Sequence, residues 1–104
     1  MPWLFLILAG LLEVVWAFAM KQTAGFARLV PVLVMIPAMV GSFALLALAM
    51  RKLPLGTAYT IWTGIGAIGA FLVGVIVLGE ALTPMRATAA LLIVTGMIMM
   101  KAAE

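Results

Sequence analysis

Apolar residues run through this chain in four long blocks, 3–20, 29–50, 55–79 and 84–100, separated by short stretches that hold most of the charges and turn formers. Each block approaches the roughly 20 residues an α-helix needs to cross a bilayer. Within the blocks the hydrophobicity is continuous, whereas a membrane β-strand would alternate residue by residue. The pattern predicts an all-α membrane protein, with four transmembrane helices per chain in a single domain over residues 1–104. Gly25 suits the end of the first helix, Leu53-Pro54-Leu55-Gly56 a tight turn, and Thr83-Pro84 an N-cap followed by proline at the first helical position. Pro31 lies near the start of the second block, and Pro37 lies inside it, where the missing N–H predicts a bend.

Composition agrees with the pattern. With 68% hydrophobic and 9% charged residues among 104, no soluble globule could cover so much apolar surface. There is no cysteine and no histidine, so neither a disulfide frame nor a metal site is expected, and nothing suggests a cofactor. The first block lacks a basic leading segment, contains an acid and is followed by further spans, which favours a retained helix over a cleaved leader. The net charge of +3 comes from scattered residues at block ends. They form no polybasic run that would point to nucleic acid or anionic lipid headgroups, and they serve better as topology markers.

As topology markers they cancel. Four helices put Arg51, Lys52 and Lys101 on one side of the membrane and Lys21, Arg28 and Arg86 on the other, so the Lys/Arg difference that sets orientation is zero. A chain without orientation bias can insert both ways, and two opposite insertions are related by a two-fold axis in the membrane plane. An antiparallel, dual-topology homodimer is therefore expected, with the lipid bilayer as its surroundings.

Glu13 is the outlier of the first block. A carboxylate in the middle of a span costs several kcal/mol and marks ion or substrate handling. At 1.5 Å per residue it lies about 15 Å from its helix end, the midplane of a hydrocarbon core roughly 30 Å thick. An inverted copy would hold its own Glu13 at the same depth. Ala9, Gly10, Trp16 and Ala17 share the Glu13 face, small neighbours beside one aromatic wall. Trp3, near a helix end, suits an interfacial anchor.

The third block mixes Thr57, Tyr59, Thr60, Trp62 and Thr63 with Gly56, Gly64, Gly66 and Gly69. Tyr59, Trp62 and Gly66 fall on one stripe at helical spacing. Trp62 is too deep for an interfacial belt and its indole N–H needs a partner. An aromatic pair facing a carboxylate suits an organic cation. Gly64 and Gly66 suit either a flexible joint or close helix packing. Ser42, at about 12 Å depth by the same count, has two candidate partners: the Glu13 carboxylate or a carbonyl of its own helix. Glu80, at a loop edge, suits solvation.

AGLLEVVWAFAMK from 9 to 21, GFARLVP from 25 to 31 and LPLGTAYTIWTGIGA from 53 to 67 resemble the small multidrug resistance family of bacterial inner-membrane proteins, over essentially the whole chain. EVVW ending at Trp16, and TGIGA after Trp62, resemble its guanidinium-exporter subfamily, whereas the polyspecific branch usually has a small residue at the place of Trp16. The resemblance implies proton-coupled export by an antiparallel homodimer in the inner membrane. It places substrate and proton binding on Glu13, surrounded by Trp16, Ser42, Tyr59 and Trp62, with Gly10 as a close-packed neighbour. It implies dimerisation through the fourth helix, where the family often has a glycine near Ala90 and another near Gly96; here Ala90 replaces the first.

The expected activity is antiport: protons and guanidinium or a related small guanidinyl cation compete for paired Glu13 carboxylates. A polyspecific exporter of quaternary ammonium and other hydrophobic cations is the alternative. A structural or proton-carrying subunit of a larger membrane complex is a third reading, disfavoured by four spans with balanced charge.

Overall fold

The computed structural model describes residues 2–103. It contains helices α1 (Pro2–Gln22), α2 (Leu29–Ala49), α3 (Leu55–Ile76) and α4 (Pro84–Ala102). All four are long and apolar enough to cross a membrane. No strand is present among the described residues. In a bilayer this is the economical solution, because a helix satisfies its backbone hydrogen bonds within one segment.

Short, well-tied connectors hold the helices. After α1, Thr23 is buried, and its hydroxyl donates to the Met20 carbonyl at 2.7 Å while accepting from the Phe26 amide at 3.1 Å. The chain passes there through positive φ at Ala24, Gly25 and Phe26. Before α4, Thr83 caps the helix by accepting from the Arg86 amide at 3.1 Å, with Pro84 in the first turn. α2 continues through Pro37 as one helix, since neighbouring helices tolerate the lost backbone bond in a membrane.

The helix ends fall within two residues of the sequence expectation except at the end of α3. α3 stops at Ile76, not at Gly79, although Val77 and Leu78 are as apolar as the helix before them. Gly79 adopts φ +70° and turns the chain back, so that the Glu80 amide reaches the Gly74 carbonyl at 2.9 Å. Glu80 itself is partly fixed, pairing with Arg86 at 3.5 Å.

The helices form a slab of 41 × 35 × 16 Å. α1 lies centrally, packed against both α2 and α3, while the α4 backbone approaches α3 alone among the described elements and reaches α1 through the Lys101 side chain over Trp3. The core joins Leu6 and Ala9 of α1, Leu46 and Ala49 of α2, Leu53 of the connector, and Ala58, Ile61 and Trp62 of α3. No residue of α4 is buried. Gly64 of α3 meets the Met97 side chain of α4, which would overlap any Cβ added there.

Candidate functional site

Glu13 stands near the middle of α1 and faces α3, where its carboxyl group lies so close to Gly66 that an added Cβ would overlap it. Only glycine leaves this room. One turn earlier, Gly10 meets Ile65 in the same way, with the Ile65 Cβ 2.7 Å from where a Gly10 Cβ would sit. Close approach of α1 and α3 through two glycines thus seats the carboxylate between helices. Its Oε1 is buried without a hydrogen-bond partner. Buried polar atoms are nearly always satisfied, so a free acceptor at this depth suits a group that donates.

One turn further along α1, Trp16 repeats the situation with opposite polarity, its Nε1 being buried and unpartnered. The ring stands at the end of a row of aromatics. Trp16 and Phe43 have centroids 6.2 Å apart, Phe43 and Trp62 5.7 Å, and Trp62 and Tyr59 5.5 Å, with tilts of 49–55°. These separations lie within the range of favourable tilted pairs. Trp62 is buried, whereas Phe43 and Tyr59 on either side of it are about half exposed, so the row joins the helix core to an open face of the chain.

Ser42 corrects both sequence expectations for its partner. Its hydroxyl donates to the Ala9 carbonyl of α1 at 2.7 Å and accepts from the Trp62 indole N–H of α3 at 3.0 Å. It bonds neither Glu13 nor its own helix. Ala9 precedes Glu13 by four residues, so Ser42 grips the carbonyl to which the Glu13 amide belongs in helical register. One buried hydroxyl therefore joins three helices directly behind the carboxylate and aligns the indole of Trp62.

The expected residues divide by position. Trp16, Tyr59 and Trp62 are linked through Phe43, Ser42 joins them by its bond to Trp62, and Glu13 and Gly10 meet α3 at Gly66 and Ile65. Gly64 and Gly66 lie buried within unbroken α3, in close contacts, and neither has positive φ. Ala90 and Gly96 lie apart on α4, the latter exposed with open space where a Cβ would be. Phe43 was not singled out from sequence, although it bridges Trp16 and Trp62. A phenylalanine in an apolar span carries no signal of its own; its place beside Ser42 was the available clue. Among the described residues no cluster of metal-ligating side chains occurs.

Comparison with known proteins identifies the family of the chain. The chain is 54% identical over 101 residues to the guanidinium exporter of Escherichia coli (strain K12), covering 97% of this chain and 96% of that protein. It is 55% identical over 101 residues to the guanidinium exporter of Salmonella typhimurium, with the same coverage, and 54% identical to that of Citrobacter freundii. Residues 1–94 match the family described as Small Multidrug Resistance protein. With four membrane-spanning helices and near full-length similarity to these exporters, the chain is a multi-pass inner-membrane protein and belongs to the Small Multidrug Resistance protein family.

Proposed function

We propose that this protein exports guanidinium and small guanidinyl cations in exchange for protons, working as an antiparallel homodimer in which the paired Glu13 carboxylates bind either cargo. The observation that carries the reading is the Oε1 of Glu13, buried between α1 and α3 without a hydrogen-bond partner, with the aromatic row beginning at Trp16 one turn along α1. An acceptor without donors calls for a ligand that brings its own. Guanidinium is planar and directs N–H groups outward, so it can bind carboxylates through paired hydrogen bonds while its face stacks on an indole. The names of the similar proteins from E. coli and Salmonella support the same substrate.

Exchange follows from exclusive occupancy. A protonated carboxyl is neutral and holds no cation, and a cation-bound carboxylate has no place for the proton. Protons arriving from one side therefore expel cargo bound from the other. The equal Lys/Arg counts at the two ends support insertion in both orientations. Identical inverted chains can then exchange inward-open and outward-open states at equal energy, with the proton gradient and membrane potential setting direction. α4 supports pairing at its flank, where Gly96 leaves a gap and Ala90 is half-buried.

A quaternary ammonium exporter is favoured by the aromatic row alone. It leaves the Glu13 acceptor without a hydrogen bond, since such cations carry no N–H. Purified protein in liposomes with an imposed pH gradient separates the readings. Guanidinium should move against the protons, tetraalkylammonium much less, and Glu13→Gln should abolish movement. Transport that survives Glu13→Gln, or that prefers tetraalkylammonium, rejects the proposal.

A further inference from the structure

We propose that the end of the bundle carrying Arg51 and Lys52 binds the phosphodiester headgroup of an anionic phospholipid. A cavity of about 360 Å³ opens there between the first turn of α1 and the α2–α3 connector, lined by Pro2, Phe5, Leu48, Arg51 and Lys52. Two adjacent cations are too short a run to stand out as polybasic in the sequence. The fold supplies what the sequence pattern lacks.

The cations sit on a fixed turn. The Arg51 amide donates to the Leu48 carbonyl at 3.3 Å, and the Lys52 and Leu53 amides to the Ala49 carbonyl at 3.2 and 3.0 Å. Ala49 and Leu53 both belong to the core, so the turn is held in place relative to α1. Facing it is the start of a 21-residue helix with no acid in its first turn, which puts the positive end of the helix dipole at the same spot. Lys101 adds charge at this end, its ammonium lying 4.7 Å over the Trp3 ring.

At the opposite end one cation of the three, Arg86, is paired. There Arg86 is neutralised by Glu80, 3.5 Å away, and its guanidinium also lies over Phe71. Neither Arg51 nor Lys52 has an ion-pair partner among the described residues. Both are exposed at the boundary between membrane-spanning helices and water.

The lining selects the occupant. A free phosphate would satisfy the two cations but leave Phe5 and Leu48 facing nothing of their own kind. A phospholipid serves both halves of the cavity. Its phosphodiester oxygens meet Arg51 and Lys52, and its glycerol and upper methylenes lie against Phe5 and Leu48. Below them Leu8, one turn deeper on α1 and 41% exposed, continues the apolar surface toward the acyl chains.

Native mass spectrometry tests this on the full chain in mild detergent, offered phosphatidylglycerol and phosphatidylcholine with matched acyl chains. The native protein should retain phosphatidylglycerol preferentially. R51Q/K52Q, which alters exposed side chains only, should lose roughly thirtyfold of that preference, the worth of two cations at an anionic surface. K21Q/R28Q removes as much charge from the other end and should keep it. Equal retention of both lipids, an unchanged preference in R51Q/K52Q, or an equal loss in K21Q/R28Q would overturn the assignment. Displacement of the lipid by inorganic phosphate would give the cations to a free anion and reject it too.

Discussion

Replacing Ser42 with alanine tests how the carboxylate's surroundings are tied together. The hydroxyl is 0% exposed, donates to the Ala9 carbonyl at 2.7 Å and accepts from Trp62 Nε1 at 3.0 Å. The change removes one oxygen and little volume, but it leaves an indole N–H buried without an acceptor. In a soluble protein an orphaned donor costs about 1–3 kcal/mol. Inside membranes, interhelical hydrogen bonds average about 0.6 kcal/mol with a maximum of about 1.7, because the unfolded chain also finds partners there. The membrane figure governs here, since both bonds cross between membrane-spanning helices, and two of them give a loss of about 1–2 kcal/mol. Trp62→Phe removes the donor while keeping an aromatic ring, so a cycle of S42A, W62F and the double variant isolates the Ser42–Trp62 bond. Unfolding in detergent micelles by SDS, followed by far-ultraviolet circular dichroism, should return a coupling of about 0.6–1.5 kcal/mol. Losses that add to within about 0.3 kcal/mol would refute the reasoning, because independent sites behave that way.

Gly66→Ala would drive a methyl group into the Glu13 carboxyl; guanidinium binding by calorimetry should weaken at least about tenfold, as misplacement of a binding group does, while Gly56→Ala, which meets open space, leaves it unchanged. Guanidinium affinity should rise with pH across the titration of the carboxylates, by about tenfold per pH unit for each proton displaced, and Glu13→Gln should remove the dependence along with the binding. Thr83→Ala deletes the α4 cap to the Arg86 amide, and SDS unfolding should report a loss of about 1 kcal/mol. Gly96→Leu fills the open space on α4, and cross-linking in liposomes should find a smaller dimer fraction; an unchanged fraction places the contact elsewhere.

The membrane helices were legible because hydropathy and punctuation agree: apolar runs of spanning length, and Thr83-Pro84 announcing a start. The end of α3 was not, since Val77 and Leu78 continue the apolar run after the helix has stopped. Backbone geometry at Gly79 ends it, and hydrophobicity carries no record of that. Glu13 was conspicuous because a charge in a span is costly. The partners of Ser42 were not, because they come from α1 and α3 and exist only after packing. Phe43 was hidden for a related reason: in a membrane helix a phenylalanine facing two tryptophans looks the same on paper as one facing lipid. Gly66 was marked as a joint or a packing surface, and its specific role, leaving space for a carboxylate, depends on the register between two helices.

The arrangement of α4 bears on how the chain is made. Among the described residues every buried apolar side chain precedes α4, so a ribosome has delivered all of these before residues 84–102 leave its exit tunnel. The three earlier segments can pack while synthesis is still under way, and the last segment is added to a body already assembled.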